Sequence, residues 1–313
     1  MIRGNWICYF IMGGLFSVTA GGGQYRWQAG EGSLSLMDRE RVVWQFNGVK
    51  GEGKPCFHPL TLTNGTCITE LRPADHPWHR GLWWSWKYIN GVNYWEENKK
   101  TGFSDGRTEV VTLKTISNPD FSARLELELS YHLPEKEPLM RESRIITVST
   151  PDAKGDYTID WTATFTACSE NLKLDRTPPK NFSGGYAGLS CRMSKACKGW
   201  TYTGSDGTFG AANLYGKCVK WIDFSKGGGI AIFDYPDNLR HPTTWYPNEH
   251  MPFFSPALLF KEPYTLAARE KLTLRYRIWI HSSPADRDAL EREWKAFAEK
   301  YSFNSVKLLP ISQ

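Results

Sequence analysis

Runs of residues that alternate between apolar and polar recur almost from one end of this chain to the other, and no other feature constrains its fold as strongly. They read SLSLMDR from Ser33, RVVWQFN from Arg41, ARLELELSYHL from Ala123, SRIITVST from Ser143, YTIDWTATFTA from Tyr157, KCVKWIDF from Lys217, GIAIFDY from Gly229 and KLTLRYRIWIH from Lys271. A period of two sends one set of side chains into a core and the other toward water or a second sheet. Asn47-Gly48, Asn64-Gly65, Asn90-Gly91, Asp206-Gly207 and Gly227-Gly228-Gly229 stand at the breaks, where hairpins need residues tolerant of positive φ. The expectation is an all-β chain of large, packed antiparallel sheets.

One helix interrupts the pattern, near the end. Ser283 is placed to cap it, Pro284 suits its first position, and Asp286 occupies a capping-box site. Leu290, Trp294, Phe297 and Tyr301 then follow at helical spacing, which predicts a helix over about 284–301 against the outside of a sheet. No repeat of blade or solenoid length is present. The ending LAAREKLTLRYRIWIHSSP, a polar turn before a long alternating strand, resembles the terminal strand of galactose-mutarotase-like supersandwich proteins. A jelly roll or plain two-sheet sandwich is the alternative.

The N-terminus carries Arg3, an apolar stretch from Trp6 to Val18 and a Val-Thr-Ala triplet ending at Ala20. This is the pattern of a secretory signal peptide over 1–20, which leaves 21–313 as a single β-supersandwich domain in the periplasm or cell exterior. Its apolar run of about a dozen residues is shorter than the roughly 20 that cross a bilayer, and later apolar stretches are broken by charge, Gly or Pro. No membrane association is expected once the leader is removed. A net charge of +5 with scattered Lys and Arg gives little support to a nucleic-acid partner. Beyond Cys8 in the leader, six cysteines remain, with Cys56–Cys67 and Cys191–Cys197 as local pairing options alongside six free thiols.

The densest chemistry lies between Lys54 and Trp95, where His58, Asp75, His76, His79 and Arg80 mingle with Trp78, Trp83, Trp84, Trp86 and Trp95. The stretches KPCFHPL, RPADHPWHRGLWWSW and NGVNYW, with GGYAGLSCRMS from Gly184 and HPTTWYPN to FFSPALLF between His241 and Phe260, closely resemble the bacterial proteins grouped as DUF6807 and often labelled "methane oxygenase PmoA". The membrane subunit that gave this label its name spans the bilayer several times, unlike this chain. The resemblance implies a context of complex-carbohydrate breakdown. Where many members carry a histidine between the two histidines of HPxHRG, this chain has Trp78.

Residues three apart in a strand point to opposite sides, so His76 and His79 converge only across a loop or tight turn, which Pro73 and Pro77 favour. There, with His58, the imidazoles suit metal ligation, acid–base work oriented by Asp75 or Glu70, or hydrogen bonding within the loop. A second cluster follows GIAIFDY, with Asp234, Arg240, His241, Trp245, Tyr246, Asn248, Glu249 and His250 in a proline-rich connection. Polar groups alternating with aromatics suit a sugar, bonded at its edge and stacked on its apolar face, or else plug the end of a sandwich. A third group comprises Asp160, Asp175, Arg176, Tyr186 and Arg192, with Gly184, Gly185 and Gly188 permitting close backbone approach.

These readings converge on an exported carbohydrate-active protein acting on a glycoside or oxidised sugar through histidine and carboxylate acid–base chemistry. The catalytic candidates are His58, Asp75, His76, His79 and His241; the sugar-binding candidates are Arg80, Trp83, Asp160, Tyr186, Arg192, Trp245, Tyr246 and Asn248. His58, His76, His79 and His241 are expected around one concave, aromatic-lined pocket. No cofactor and no bound metal are expected, and the expected partner is a small sugar or glycoside. A noncatalytic sugar-binding protein is the alternative; a metal oxygenase, as the label suggests, would need three converging ligands.

Overall fold

The computed structural model describes residues 25–51 and 53–306 of the chain. The proposed leader therefore lies outside the described residues. Two eight-stranded antiparallel sheets dominate. In spatial order the first contains Tyr25–Gly30, Ser33–Asp38, Arg41–Asn47, Cys56–Leu60, Leu82–Ser85, Gly188–Arg192, Phe253–Pro256 and Trp245–Asn248. The second contains Thr201–Gly204, Trp221–Ser225, Gly229–Asp234, Lys271–His281, Tyr157–Ala167, Met140–Val148, Ala123–His132 and Arg107–Ser117. This is the all-β antiparallel sandwich that the alternation predicts. A smaller sheet of Tyr264–Leu266, Leu172–Asp175, Tyr88–Ile89 and Val92–Asn93 was not signalled by any alternating run.

The core forms where the inward sets of the two large sheets meet. Trp84 packs on Phe165 at 5.0 Å and Phe57 on Trp161 at 6.4 Å between ring centroids, each pair joining one sheet to the other. Eight tryptophans, Trp44, Trp83, Trp84, Trp86, Trp95, Trp161, Trp221 and Trp245, are essentially excluded from solvent. Most of the tryptophan surplus therefore serves packing. Within the core, Glu142 accepts bonds from Arg144 at 2.5 and 2.9 Å and from the Tyr131 hydroxyl at 2.5 Å, all three side chains being buried. Such a pair is tolerated because each charge is neutralised and hydrogen-bonded.

The outward sets differ between the sheets. On the second sheet Trp221, Ala231 and Phe233 receive Leu290 and Phe297 of a helix at Arg287–Val306. This helix begins later than the sequence suggests and runs further. Asp286, rather than Ser283, caps it, its carboxylate accepting from the Ala289 amide at 2.7 Å. Short helical turns at Lys195–Cys197 and Ala211–Leu214 were not anticipated. No described helix is long and apolar enough to cross a membrane. Cys67, Cys168, Cys191, Cys197 and Cys218 carry free thiols, so neither local pairing option is formed.

Candidate active site

The outward face of the first sheet carries the site, and strand alternation decides which aromatics reach it. In Leu82–Ser85, Trp84 points into the core and Trp83 away from it, into a cluster with Trp95, Tyr246 and Phe253. In Trp245–Asn248, Tyr246 shares that outer cluster, so its neighbour Trp245 must point inward. Trp245 stacks on Phe254 and donates its indole N–H to the Val219 carbonyl at 2.8 Å. The expectation that Trp245 lines the pocket is thus corrected by the same alternation that predicted its strand.

A cleft of about 250 Å³ opens above this cluster, lined by His76, His79, Trp95, Tyr186, Tyr246, Asn248, Phe253 and neighbours from two loops. Phe182 and Ser183 come from one loop; His250 and Met251 come from the other. The volume lies just below the usual small-molecule range of roughly 300–1,000 Å³. Trp83 sits directly beneath, its ring 5.1 Å from that of His79.

The hairpin from Leu71 to Arg80 brings the two histidines together, as their spacing requires. Its tip turns twice, with the His76 amide donating to the Pro73 carbonyl and the His79 amide to that of His76. The two imidazoles then stack at 4.8 Å and 22°. Gly81 anchors the returning arm: at φ +74° any Cβ there would come within 2.5 Å of the Phe57 carbonyl oxygen, so only glycine lets the hairpin lie so close to Cys56–Leu60. Gly185, at φ +91° against the Phe260 ring, does the same for the segment that delivers Tyr186.

His76 and His79 occupy different environments. Asp75 Oδ2 lies 3.0 Å from His76 Nδ1, and Arg192 donates to both oxygens of Asp75 at 3.0 and 2.8 Å. Although burial pulls the other way, hydrogen bonds from His76 and Arg192 hold the Asp75 carboxyl down at about 2. A fixed carboxylate at Nδ1 selects the tautomer that leaves Nε2 with its lone pair, and that atom makes no hydrogen bond to the described protein. His79 is 2% exposed. Burial first, then the charges of His76, Arg192 and Lys54, push it down to about 2, so its ring is neutral at any ordinary pH. Its Nδ1 is buried with no hydrogen-bond partner.

A cation–carboxylate cluster supports the cleft from outside. Arg80 donates to Glu97 and, at 2.7 Å, to the Pro77 carbonyl, while Arg72 reaches Glu97 at 3.0 Å. Lys54 donates to the carbonyl of Trp95, and burial lowers its ammonium to about 7 against the pull of Glu97. Arg80 therefore fastens the hairpin and does not line the cleft. Arg192 likewise stands behind Asp75, with Glu70 3.6 Å from its Nε.

Three sequence candidates lie elsewhere. His58 stays outside the cleft lining, its Nδ1 3.0 Å from the Thr69 hydroxyl. Asp160 projects from the outer face of the second sheet, where Arg277 binds it at 2.6 and 2.8 Å and Lys300 at 2.7 Å. His241 lies on that side too, held by Asp234 at 2.8 Å and stacked on Trp294 of the terminal helix. The expectation of four histidines around one pocket is corrected to two of those four, His76 and His79, joined by His250. Trp95, Phe182, Ser183, Met251 and Phe253 were absent from the candidates. Phe182, Ser183, Met251 and Phe253 lie close in sequence to Tyr186, Tyr246 and Asn248, and Trp95 stood among the tryptophans of the Lys54–Trp95 segment.

Among the described residues no three His, Cys, Asp or Glu side chains converge to hold a metal ion.

A family model described as "Family of unknown function (DUF6807)" matches residues 33–295. No curated protein matches the chain. Among solved structures the chain is similar to the crystal structure of the alpha-galactosidase from Lactobacillus brevis, at 8% identity and a TM-score of 0.41 over 85% of this chain. It spans 40% of that enzyme's chain.

Proposed function

The chain belongs to DUF6807, a family of unknown function, and we propose that it is an exported carbohydrate-active enzyme of the periplasm or cell exterior. Its cleft would hold one sugar ring, and His76 would move a proton on it. One observation carries the reading: an imidazole held at Nδ1 by a carboxylate, with Nε2 unbonded, stands in a cleft walled by Trp95, Tyr186, Tyr246 and Phe253. Aromatic walls take up the apolar face of a pyranose, and Asn248 and Ser183 offer polar groups to its hydroxyls.

The chemistry follows from how the groups are held. Nε2 of His76 accepts the proton, the Asp75 carboxylate steadies the imidazolium, and Arg192 keeps Asp75 ionised so that the charge pair is stable. His79 contributes a neutral, apolar face that keeps water from the stacked side of His76. On this reading the protein acts on a small sugar or glycoside without a metal of its own and without a nucleic-acid or membrane partner.

Incubating purified protein with a panel of glycosides and keto-glycosides, with products detected by mass spectrometry, tests the proposal. The expected result is turnover of at least one sugar, abolished in His76→Gln. Sugar binding that persists without turnover in both proteins would identify a noncatalytic binding protein instead. N-terminal sequencing tests export, which predicts a mature end near Gly21.

A further inference from the structure

We infer that the cleft takes an uncharged sugar bearing a ketone or aldehyde and shuttles a proton on the carbon beside that carbonyl, with His76 as base and Tyr186 as hydrogen-bond donor to the carbonyl oxygen. The inference rests on the proposed sugar site and narrows it in two ways, by what the cleft wall lacks and by what it offers.

Among the described residues, the wall contains no Asp or Glu. Of the carboxylates near it, Asp75 is bound by Arg192 and His76, Glu96 by Lys87, and Glu97 by Arg80, Arg72 and Lys54, Glu70 lies beside Arg192, and Glu249 stands alone and exposed between the lining residues Asn248 and His250. Ordinary glycoside hydrolysis uses two facing carboxyl groups roughly 5–9.5 Å apart, one of them protonated. The described wall supplies no such pair, and Glu249 beside it is a single carboxylate. Among the described residues the wall also contains no Lys or Arg. A uronate or sugar phosphate would bring a negative charge into an aromatic cleft whose described wall gives it no lysine or arginine, at a large desolvation cost. The substrate class is therefore uncharged.

What the wall offers is imidazole and phenol. Tyr246 already donates its hydroxyl to the Phe182 carbonyl at 3.3 Å. The Tyr186 hydroxyl makes no hydrogen bond to the described protein, and burial, with Glu96, Tyr246 and Tyr88 nearby, keeps it protonated. A base with a free lone pair and a phenol with a free proton complement an enolate, whose charge develops on oxygen as a carbon–hydrogen bond breaks. In the step, the proton passes to His76 Nε2 and the bonding pair moves into the carbon–carbon bond. The carbonyl π pair moves onto the oxygen, where Tyr186 steadies it. Returning the proton to the face it left restores the sugar, delivery to the opposite face inverts that centre, and no oxidant or reductant is consumed.

The test is deuterium exchange. Methyl 3-keto-glucoside, methyl glucoside and glucuronate are each incubated with the protein in heavy water, with exchange followed by NMR and binding measured separately by calorimetry. The expected result is carbon-bound deuterium beside the ketone of the keto-sugar alone. Its rate should fall about 10²–10⁴-fold in His76→Gln and about 10²–10³-fold in Tyr186→Phe, with keto-sugar affinity changed less than threefold. Binding of the keto-sugar without exchange would overturn this inference and leave the sugar site standing. Preferred binding of glucuronate, or full exchange in Tyr186→Phe, would overturn it as well. Failure of all three to bind would remove the sugar site and the inference with it.

Discussion

His79 stacks on His76 at 4.8 Å and 22° while its ring also meets Phe253, Trp83 and Trp95 of the buried aromatic cluster and, edge-on, the partly buried Trp78. One imidazole is thus part of the wall, and the other stands on it, half-exposed, with a carboxylate at its back. Their different surroundings let two histidines three residues apart be tested separately.

For His79 the test is acid stability. Its pKa falls from about 6.5 in the unfolded chain to about 2 in the fold. Above pH 6.5 neither state is protonated and nothing changes. As pH falls below 6.5 the unfolded state takes up a proton that the folded state refuses, so stability is lost progressively toward pH 2. At pH 4.5 the loss approaches roughly 2–3 kcal/mol. His281, raised by its bond to Asp223 despite burial, acts in the opposite direction. The difference between wild type and His79→Asn isolates the effect: the melting temperature of the variant should depend less steeply on pH between 6.5 and 4.5. Parallel curves would show that His79 protonates freely.

Asp75→Asn should leave sugar affinity within a few-fold while slowing turnover by about 10²–10⁴. An amide can present the wrong atom to His76 Nδ1 and cannot steady an imidazolium. Separate measurement of binding and of the single-turnover rate checks this. An equal loss in both would make Asp75 a determinant of loop shape alone.

Phe182 lines the rim of the cleft and is 61% exposed. Phe182→Ala should weaken sugar binding about 3- to 10-fold through lost stacking, with a stability change within about 0.5 kcal/mol. Calorimetric titration beside a thermal melt distinguishes this from a general loosening, in which both quantities would fall.

The helix side should behave in the converse manner. Phe297 is fully buried against the second sheet, and Asp160 is buried between Arg277 and Lys300. Phe297→Ala should cost about 3–5 kcal/mol, and Asp160→Asn several kcal/mol by leaving Arg277 without its main counter-charge. Neither should alter sugar affinity in the folded fraction. Chemical denaturation and binding at low temperature measure the two effects.

The sheets were legible in the sequence because period-two alternation reports directly on which side of a strand is buried, and KLTLRYRIWIH and YTIDWTATFTA indeed pair in register over Tyr157–Thr166. The two-residue strands Tyr88–Ile89 and Val92–Asn93 are too short to show any period. At the site, the proximity of His76 and His79 could be read from three-residue spacing between prolines. The exclusion of His241 could not. Its loop has the same mixture of proline, aromatic and polar residues as the cleft loops, and only strand order places it beside the terminal helix. Asp160 was more accessible to reasoning: it sits between the inward-facing Ile159 and Trp161, so it had to point away from the core.

Trp83 and Trp84 are adjacent in the chain, yet one floors the cleft and the other fills the sandwich. Through that single strand the cleft floor rests on the most tightly packed part of the molecule, where close-packed side chains yield little. Such a floor is a template made before any guest arrives. Little ordering accompanies occupancy, and a guest with an axial group in the wrong place cannot be accommodated by movement beneath it. Discrimination between epimers would then come from rigidity, and a search for the natural substrate should vary stereochemistry before it varies size.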